Sequence, residues 1–309
     1  MIVSASYRTD IPAFYTSWFL KRLAAGSVPV TNPYGGRPTQ VPLTGPEVDG
    51  YLVWTRNPEP FAPALEALAQ LGLPVVIHLT ITGYPRALDR SVIAADRAVA
   101  AARALARRYG PRAVVWRYDP VVWTDATPPD WHRRQMATLA AALAGTVDEV
   151  CLSAATIYRK TRRNLDRAAA RHGFAWRDPP PEEKRALLSD LASLALDAGL
   201  RPTLCSQPDL LAGPLEAAAC VDAGRLSDVA GRPIAARRKG NRPGCLCAES
   251  RDIGAYDTCP HGCAYCYAVS DRGRAQARQR AHDPAVADLA GAAALAPRQR
   301  RPTSLAKNI

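Results

Sequence analysis

The feature that most restricts this chain is an alternation of two hydrophobic periods. From residue 2 to about residue 207, short β-branched apolar runs alternate with longer Ala/Leu-rich amphipathic stretches. Strands are predicted at IVSAS (2–6), VPVTN (28–32), YLVWT (51–55), PVVIHLTI (74–81), AVVWRYD (113–119), EVCLSA (149–154) and RPTLCS (201–206). Between them lie helical patterns such as PAFYTSWFLKRLAAG, FAPALEALAQLG, VIAADRAVAAARALARRYG, WHRRQMATLAAALAG and PPPEEKRALLSDLASLALDAG, each ending in a glycine suited to a left-handed cap. Such an alternation predicts a parallel sheet with helices outside. The strands read as continuous apolar runs, and no G-x-G-x-x-G or phosphate-binding loop follows any of them. A TIM-like (β/α) barrel, complete or partial, is therefore expected in preference to an open doubly wound sheet.

A barrel carries its functional side chains at the C-terminal ends of its strands. There the chain offers Ser6, Arg8, Thr9 and Asp10; then Asn32; then Trp54, Thr55, Arg56 and Asn57. Further on come His78, Thr80, Thr82 and Tyr84, then Arg117, Tyr118 and Asp119, then Ser153 and Tyr158. Arg8, Asp10, Arg117 and Asp119 are candidates for gripping a cofactor or substrate. Pairing with one another across the rim is the competing role. His78, alone in an apolar strand, reads as a core residue, while His132 and His172 fall on predicted helix surfaces. No G-x-S-x-G, H-E-x-x-H or paired-carboxylate motif supports a hydrolase.

The 309 residues divide into a β/α core (1–229), a cysteine-rich segment closing it (230–270), and a short helix with a basic, flexible tail (271–309). No apolar run approaches the roughly 18 residues of a membrane span, and no export signal is evident at the start, which predicts a cytoplasmic setting without membrane contact. There, eight cysteines read as metal ligands or reactive thiols rather than disulfides. The formal net charge of +12 is spread through an Arg-rich sequence without a basic stripe interleaved with aromatics, so solvated surface is favoured over nucleic-acid binding.

The segment YDTCPHGCAYCYA (256–268) sets Cys259, Cys263 and Cys266 within eight positions. A structural zinc site usually closes four ligands, for which His261 or an upstream cysteine would have to serve. A redox C-x-x-C pair would leave Cys259 without a role. A [4Fe-4S] cluster on three thiolates leaves one iron open, which accounts for the number three. Cys205, Cys220 and the Cys245-x-Cys247 pair form a candidate second site, for another [4Fe-4S] cluster or zinc, against ordinary burial of Cys205 and Cys220. Cys151, inside an apolar strand, is assigned to the core.

The spacing C-x3-C-x2-C with aromatic Tyr265 before its last cysteine resembles the cluster motif of the radical S-adenosylmethionine superfamily. That resemblance implies a [4Fe-4S] cluster held by Cys259, Cys263 and Cys266, S-adenosylmethionine on the open iron, Tyr265 near the adenine, and a reductant such as flavodoxin or ferredoxin. In the superfamily the motif sits near the N-terminus and a Gly-Gly-Glu stretch follows the next strand; here the motif is C-terminal, and the nearest string, YGGRP, has Arg37 in place of the acid. Over residues 1–270 the chain resembles a bacterial family, a domain of unknown function, whose members open with S-x-R-T-D-I-P and end in such a cluster segment, as SASYRTDIPAFY, WRYDP and SRDIGAYDTCPHGCAYCYA do here.

Circular permutation reconciles the two patterns, because the first and last strands of a closed parallel barrel are neighbours. If DIGAY (252–256) forms a strand beside IVSAS, then Ser6, Arg8 and Asp10 take the place of Gly-Gly-Glu. The expected activity is a radical-type S-adenosylmethionine enzyme acting on an unspecified small-molecule or macromolecular substrate. A zinc or iron-sulfur module binding nucleic acid, and a redox or electron-transfer protein without S-adenosylmethionine, are the alternatives.

Overall fold

The computed structural model describes residues 1–31 and 37–290. In chain order the strands are β1 (Ile2–Ala5), β2 (Ser27–Val30), β3 (Thr39–Pro42), β4 (Gly50–Thr55), β5 (Val75–Thr80), β6 (Val114–Val121), β7 (Trp123–Thr124), β8 (Glu149–Ala154), β9 (Trp176–Arg177), β10 (Arg201–Cys205), β11 (Glu216–Ala218) and β12 (Ser250–Asp252). The helices are α1 (Ile11–Phe14), α2 (Thr16–Ala24), α3 (Ala62–Gln70), α4 (Ala95–Tyr109), α5 (Pro129–Leu143), α6 (Arg159–His172), α7 (Pro181–Asp197), α8 (Ala223–Ala230) and α9 (Arg272–Arg280). Among the described residues no helix is long and apolar enough to cross a membrane.

Eight strands form one sheet in the order β11-β10-β8-β6-β5-β4-β1-β12, every neighbouring pair parallel. Six of the seven predicted strands lie in it. VPVTN does not: β2 pairs antiparallel with β3 in a separate hairpin. Pro29 lacks an amide hydrogen to give to a ladder on both sides, and only Val28 of this strand is buried, so an edge position suits it better than a sheet centre. Asn32, at the end of that run, lies outside the described residues, as does the tail beyond residue 290.

The sheet does not close. Its two edges, β11 and β12, are three residues each, and a hydrogen bond from Ala248 N–H to Val221 C=O (2.9 Å) joins the segments following one and preceding the other without a ladder. One face of the sheet packs on helices in two cores. Leu79, Trp116, Leu152 and Leu204 meet α4, α5 and α7, while Val3, Val53 and Ile77 meet α1, α2 and α3. The opposite face encloses a smaller core in which Ile2 of β1 and Ala218 of β11, near the opposite edges, share a cluster with Leu52, Val76, Val115 and Cys151. The sheet is therefore curled, and Leu226 of α8 with Ile234, Cys247 and Ala248 fills its inside.

A last strand lies beside β1, two residues earlier than DIGAY. β12 runs parallel to β1 with Ile2 opposite Ser250 and Ser4 opposite Asp252. Residues 253–256 are already loop, and they carry the chain to the cysteines at the C-terminal ends of β1, β4 and β5.

Candidate functional site

At the end of β12 the carboxylate of Asp252 collects the turn after β1. It accepts hydrogen bonds from Ser6 Oγ (2.9 Å), Tyr7 N–H (3.0 Å), Arg8 Nε (2.7 Å) and Gly254 N–H (2.9 Å). Arg8 also donates to the Asp252 carbonyl (2.8 Å) and lies 5.7 Å from the Tyr256 ring centroid. Arg8 thus clamps the edge strand to β1. A cavity of about 360 Å³ opens beside it, lined by Tyr7, Arg8, Thr31, Arg251, Asp252 and Tyr256 among others.

Asp10 sits one turn further. Its Oδ1 caps α1 by accepting from Ala13 N–H (3.0 Å), and its Oδ2 accepts from Arg56 N–H (2.8 Å) and His261 Nε2 (2.8 Å). Since Nε2 must carry a proton to donate, this contact ties the cysteine loop to the start of the chain. Phe14 packs edge-on against the same imidazole at 4.6 Å. His261 is buried.

The strongest anchor of the loop is a buried ion pair that the sequence pattern did not single out. Arg56, at the end of β4, donates to Asp89 through Nη1 (3.1 Å) and Nη2 (2.6 Å), and to Thr82 Oγ1 (2.7 Å). Asp89 also accepts from Thr82 Oγ1 (3.0 Å) and Tyr265 Oη (2.7 Å), and Arg56 reaches Tyr265 Oη and, at 3.5 Å, Cys263 Sγ. Burial opposes the charge on Arg56, but Asp89 outweighs it and holds the guanidinium firmly protonated. Asp89 forms a β-bridge with Cys263, Ala264 N–H bonds Leu88 C=O (2.8 Å), and Ser91 N–H bonds His261 C=O (3.1 Å). Arg56 was visible as one of many polar rim residues; Asp89 follows no strand and carries no local signal. A second cavity, of about 270 Å³, is lined by Arg56, Thr82, Tyr84, Arg86, Asp89 and Gln135 among others.

Cys259, Cys263 and Cys266 are free, part-buried thiols on this docked loop. Burial pushes Cys259 up to about 12, aided by Asp10, and raises Cys263 and Cys266 as well. The three are close enough for charge on one to disfavour charge on another: Cys266 acts on Cys259, and both act on Cys263. The three are therefore neutral, unbridged thiols, and a cation that binds them must displace their protons. Thr9 Oγ1 and Arg56 Nε are buried without hydrogen-bond partners, polar atoms that a bound group could satisfy. The donor set therefore fits an iron-sulfur cluster chemically. Tyr265 is buried with its hydroxyl held by Asp89 and its ring edge-on to Tyr84 at 5.7 Å. Among the described residues no three His, Cys, Asp or Glu side chains converge as ligands of a single metal ion.

Arg117 and Asp119 stand elsewhere, inside the curled sheet. They pair with each other, Asp119 also takes the Ser153 hydroxyl, and Arg117 Nη1 donates to Cys220 Sγ (3.0 Å). Cys205, Cys220, Cys245 and Cys247, expected as a second site, lie in one core together with Cys151, and Cys220 Sγ is 3.3 Å from Cys205 Sγ. Cys151 is buried as expected. His78 stacks on Trp54 (5.0 Å, 8°), and both its ring nitrogens lack partners, so burial holds it down at about 4. His132 is not on a surface. It is fully buried between the Tyr118 hydroxyl (2.8 Å to Nδ1) and the Val122 carbonyl (3.0 Å from Nε2), because α5 presents that position to β6. His172 is exposed.

The family model described as Domain of unknown function (DUF1848) matches residues 2–268. Neither a curated protein nor a solved structure matches the chain.

Proposed function

The chain belongs to this DUF1848 family, and from that premise we propose that it is an iron-sulfur enzyme of the radical S-adenosylmethionine type, with Cys259, Cys263 and Cys266 as the cluster ligands. The observation that carries the reading is the docking of the three-cysteine loop. It follows an edge strand parallel to β1 and is tied down at the C-terminal ends of β1, β4 and β5 through Asp10–His261 and Arg56–Asp89–Tyr265.

When bound, a reduced [4Fe-4S] cluster with one open iron supplies the electron that cleaves S-adenosylmethionine and begins hydrogen abstraction. The chain's own residues do the rest. Arg56 and Asp89 fix the loop from below, so that the thiols keep one spacing. Asp10 orients His261 and hence the turn between Cys259 and Cys263. Tyr265 presents its ring at the floor of the site while its hydroxyl stays committed to Asp89. Arg8, held by Asp252 beside the cavity of about 360 Å³, offers a cation to a carboxylate or phosphate there. Ser6 and Asp10 stand beside it at the end of β1, where the superfamily holds the amino group of the methionine.

Anaerobic reconstitution followed by electron paramagnetic resonance of the reduced protein tests this. The expected result is a [4Fe-4S] signal that shifts when S-adenosylmethionine is added and is lost in Cys263→Ala. A signal blind to S-adenosylmethionine would move the protein to the electron-transfer class, and zinc without iron would discard both.

A further inference from the structure

Five of the eight cysteines meet inside the curled sheet, far in sequence from one another and outside the loop considered above. Cys151 comes from β8, Cys205 from the end of β10, Cys220 from two residues beyond β11, and Cys245 and Cys247 from the segment before β12. Cys220 is the hub. Its sulfur lies 3.3 Å from that of Cys205, and it shares one core with Cys151, Cys245 and Cys247. All five are free thiols.

Three N–H donors point at the sulfurs. Arg117, itself buried, aims Nη1 at Cys220 Sγ (3.0 Å), Arg242 aims Nη2 at Cys205 Sγ (3.6 Å), and the Val221 amide donates to Cys247 Sγ (3.3 Å). A neutral thiol gains little from a guanidinium, whereas sulfurs sharing negative charge gain a great deal. N–H donors aimed at coordinated sulfurs are the usual outer shell of a metal–thiolate centre. His78 adds an independent sign. It is buried against Trp54, which packs in the same core as the five cysteines, and neither ring nitrogen has a partner. An interior that strands an imidazole and packs five thiols has polar groups left over for a ligand.

We infer that Cys205, Cys220, Cys245 and Cys247 hold a second metal centre, a soft metal in an all-thiolate site that draws the four sulfurs together on binding, since as they stand no three converge on one point, with Cys151 packed beneath it. Four ligands from three segments bridge the gap that β11 and β12 leave in the sheet, so the metal does the work of the missing ladder. The shared chemistry is a thiophilic metal, either zinc or an iron-sulfur cluster. On binding, the thiol protons pass to solvent, and Arg117 and Arg242 balance the excess negative charge.

The test uses the full chain, purified anaerobically, with zinc, iron and acid-labile sulfide counted. The Cys259→Ala/Cys263→Ala/Cys266→Ala variant removes the first centre and leaves this one in view. It is expected to retain one zinc ion or about four iron atoms per chain, and to lose them when Cys220→Ala and Cys247→Ala are added. Zinc without sulfide identifies a single ion; iron with sulfide identifies a cluster. A triple variant free of both metals overturns the inference. A second measurement needs no variant: alkylation of the folded wild type by iodoacetamide, read by mass spectrometry, before and after chelation. Cys245 and Cys247 are expected to label at least about tenfold faster once metal is removed, because coordinated sulfur is a poor nucleophile. Equal labelling refutes the site whatever the first centre does.

Discussion

Replacing Asp89 with asparagine keeps the shape of the side chain and removes its charge. Arg56 would then be a guanidinium buried with no carboxylate against it, since Asp89 is the group that holds it charged against its burial. Breaking a buried pair from one side costs about 3–5 kcal/mol. With an unfolding entropy of about 2.1 cal/mol/K per residue over 309 residues, that cost corresponds to a fall in Tm of about 5–8 °C. Calorimetry on the metal-free protein reads the effect without the extra stabilisation of a bound cluster. Glu59→Gln breaks the Arg97–Glu59 pair, whose side chains are 59% and 39% exposed, and serves as the comparison; its expected cost is below about 1 kcal/mol. Arg56→Met combined with Asp89→Leu removes both charges, and is expected to be more stable than Asp89→Asn alone. If Asp89→Asn lowers Tm no more than Glu59→Gln does, or if the double variant is the least stable of the three, the ion pair is not what secures the cysteine loop.

Three further outcomes follow from the same contacts. His132 is held down at about 4 by burial, so below its ordinary value near 6.5 the unfolded chain takes up the proton first; stability is complete above pH 6.5 and falls by up to about 3 kcal/mol as pH drops towards 4. Urea unfolding at pH 7 and 4.5 should show a shallower loss in His132→Gln than in wild type, and parallel losses would contradict this. Alanine at Gly254 would set its Cβ 1.9 Å from Ser6 Oγ and displace the hydroxyl from Asp252, at a cost of about 1–3 kcal/mol readable as a lower denaturation midpoint. Tyr15→Phe deprives the buried Thr258 carbonyl of its donor (2.7 Å), and is expected to cost about 1–2 kcal/mol and to speed amide exchange across residues 256–268; unchanged exchange there would show that the bond does not steady the loop.

Periodicity was enough to find β1, β4, β5, β6, β8 and β10, because strands buried on both faces are continuous apolar runs that local composition displays. It misplaced 28–32, where a β-branched run is interrupted by Pro29 and belongs to a hairpin, and it passed over β11, three residues of Ala and Glu paired on one side only. Helix α6, RKTRRNLDRAAARH, shows little of this signal, since only Thr161 and Leu165 of it are buried and an apolar stripe scarcely exists.

The cysteines divide the same way. Three within eight positions declare a shared purpose by spacing alone, because a short loop cannot separate them. What the loop rests on is different. Asp89 and Cys263 are 174 positions apart, and Arg117 and Cys220 are 103 apart; each pair meets only because parallel strands bring their C-terminal ends to one rim. Cys151 shows the limit most clearly: its strand announced burial, and it is buried, but no local pattern could say that its neighbours inside the sheet would be sulfur. The sequence by itself determined the elements, the β/α class and the three-thiol loop, all properties of short-range patterns. Which charges are paired, which histidines are buried and which thiols meet was decided by strand order and curl, because those contacts join residues that no local period connects.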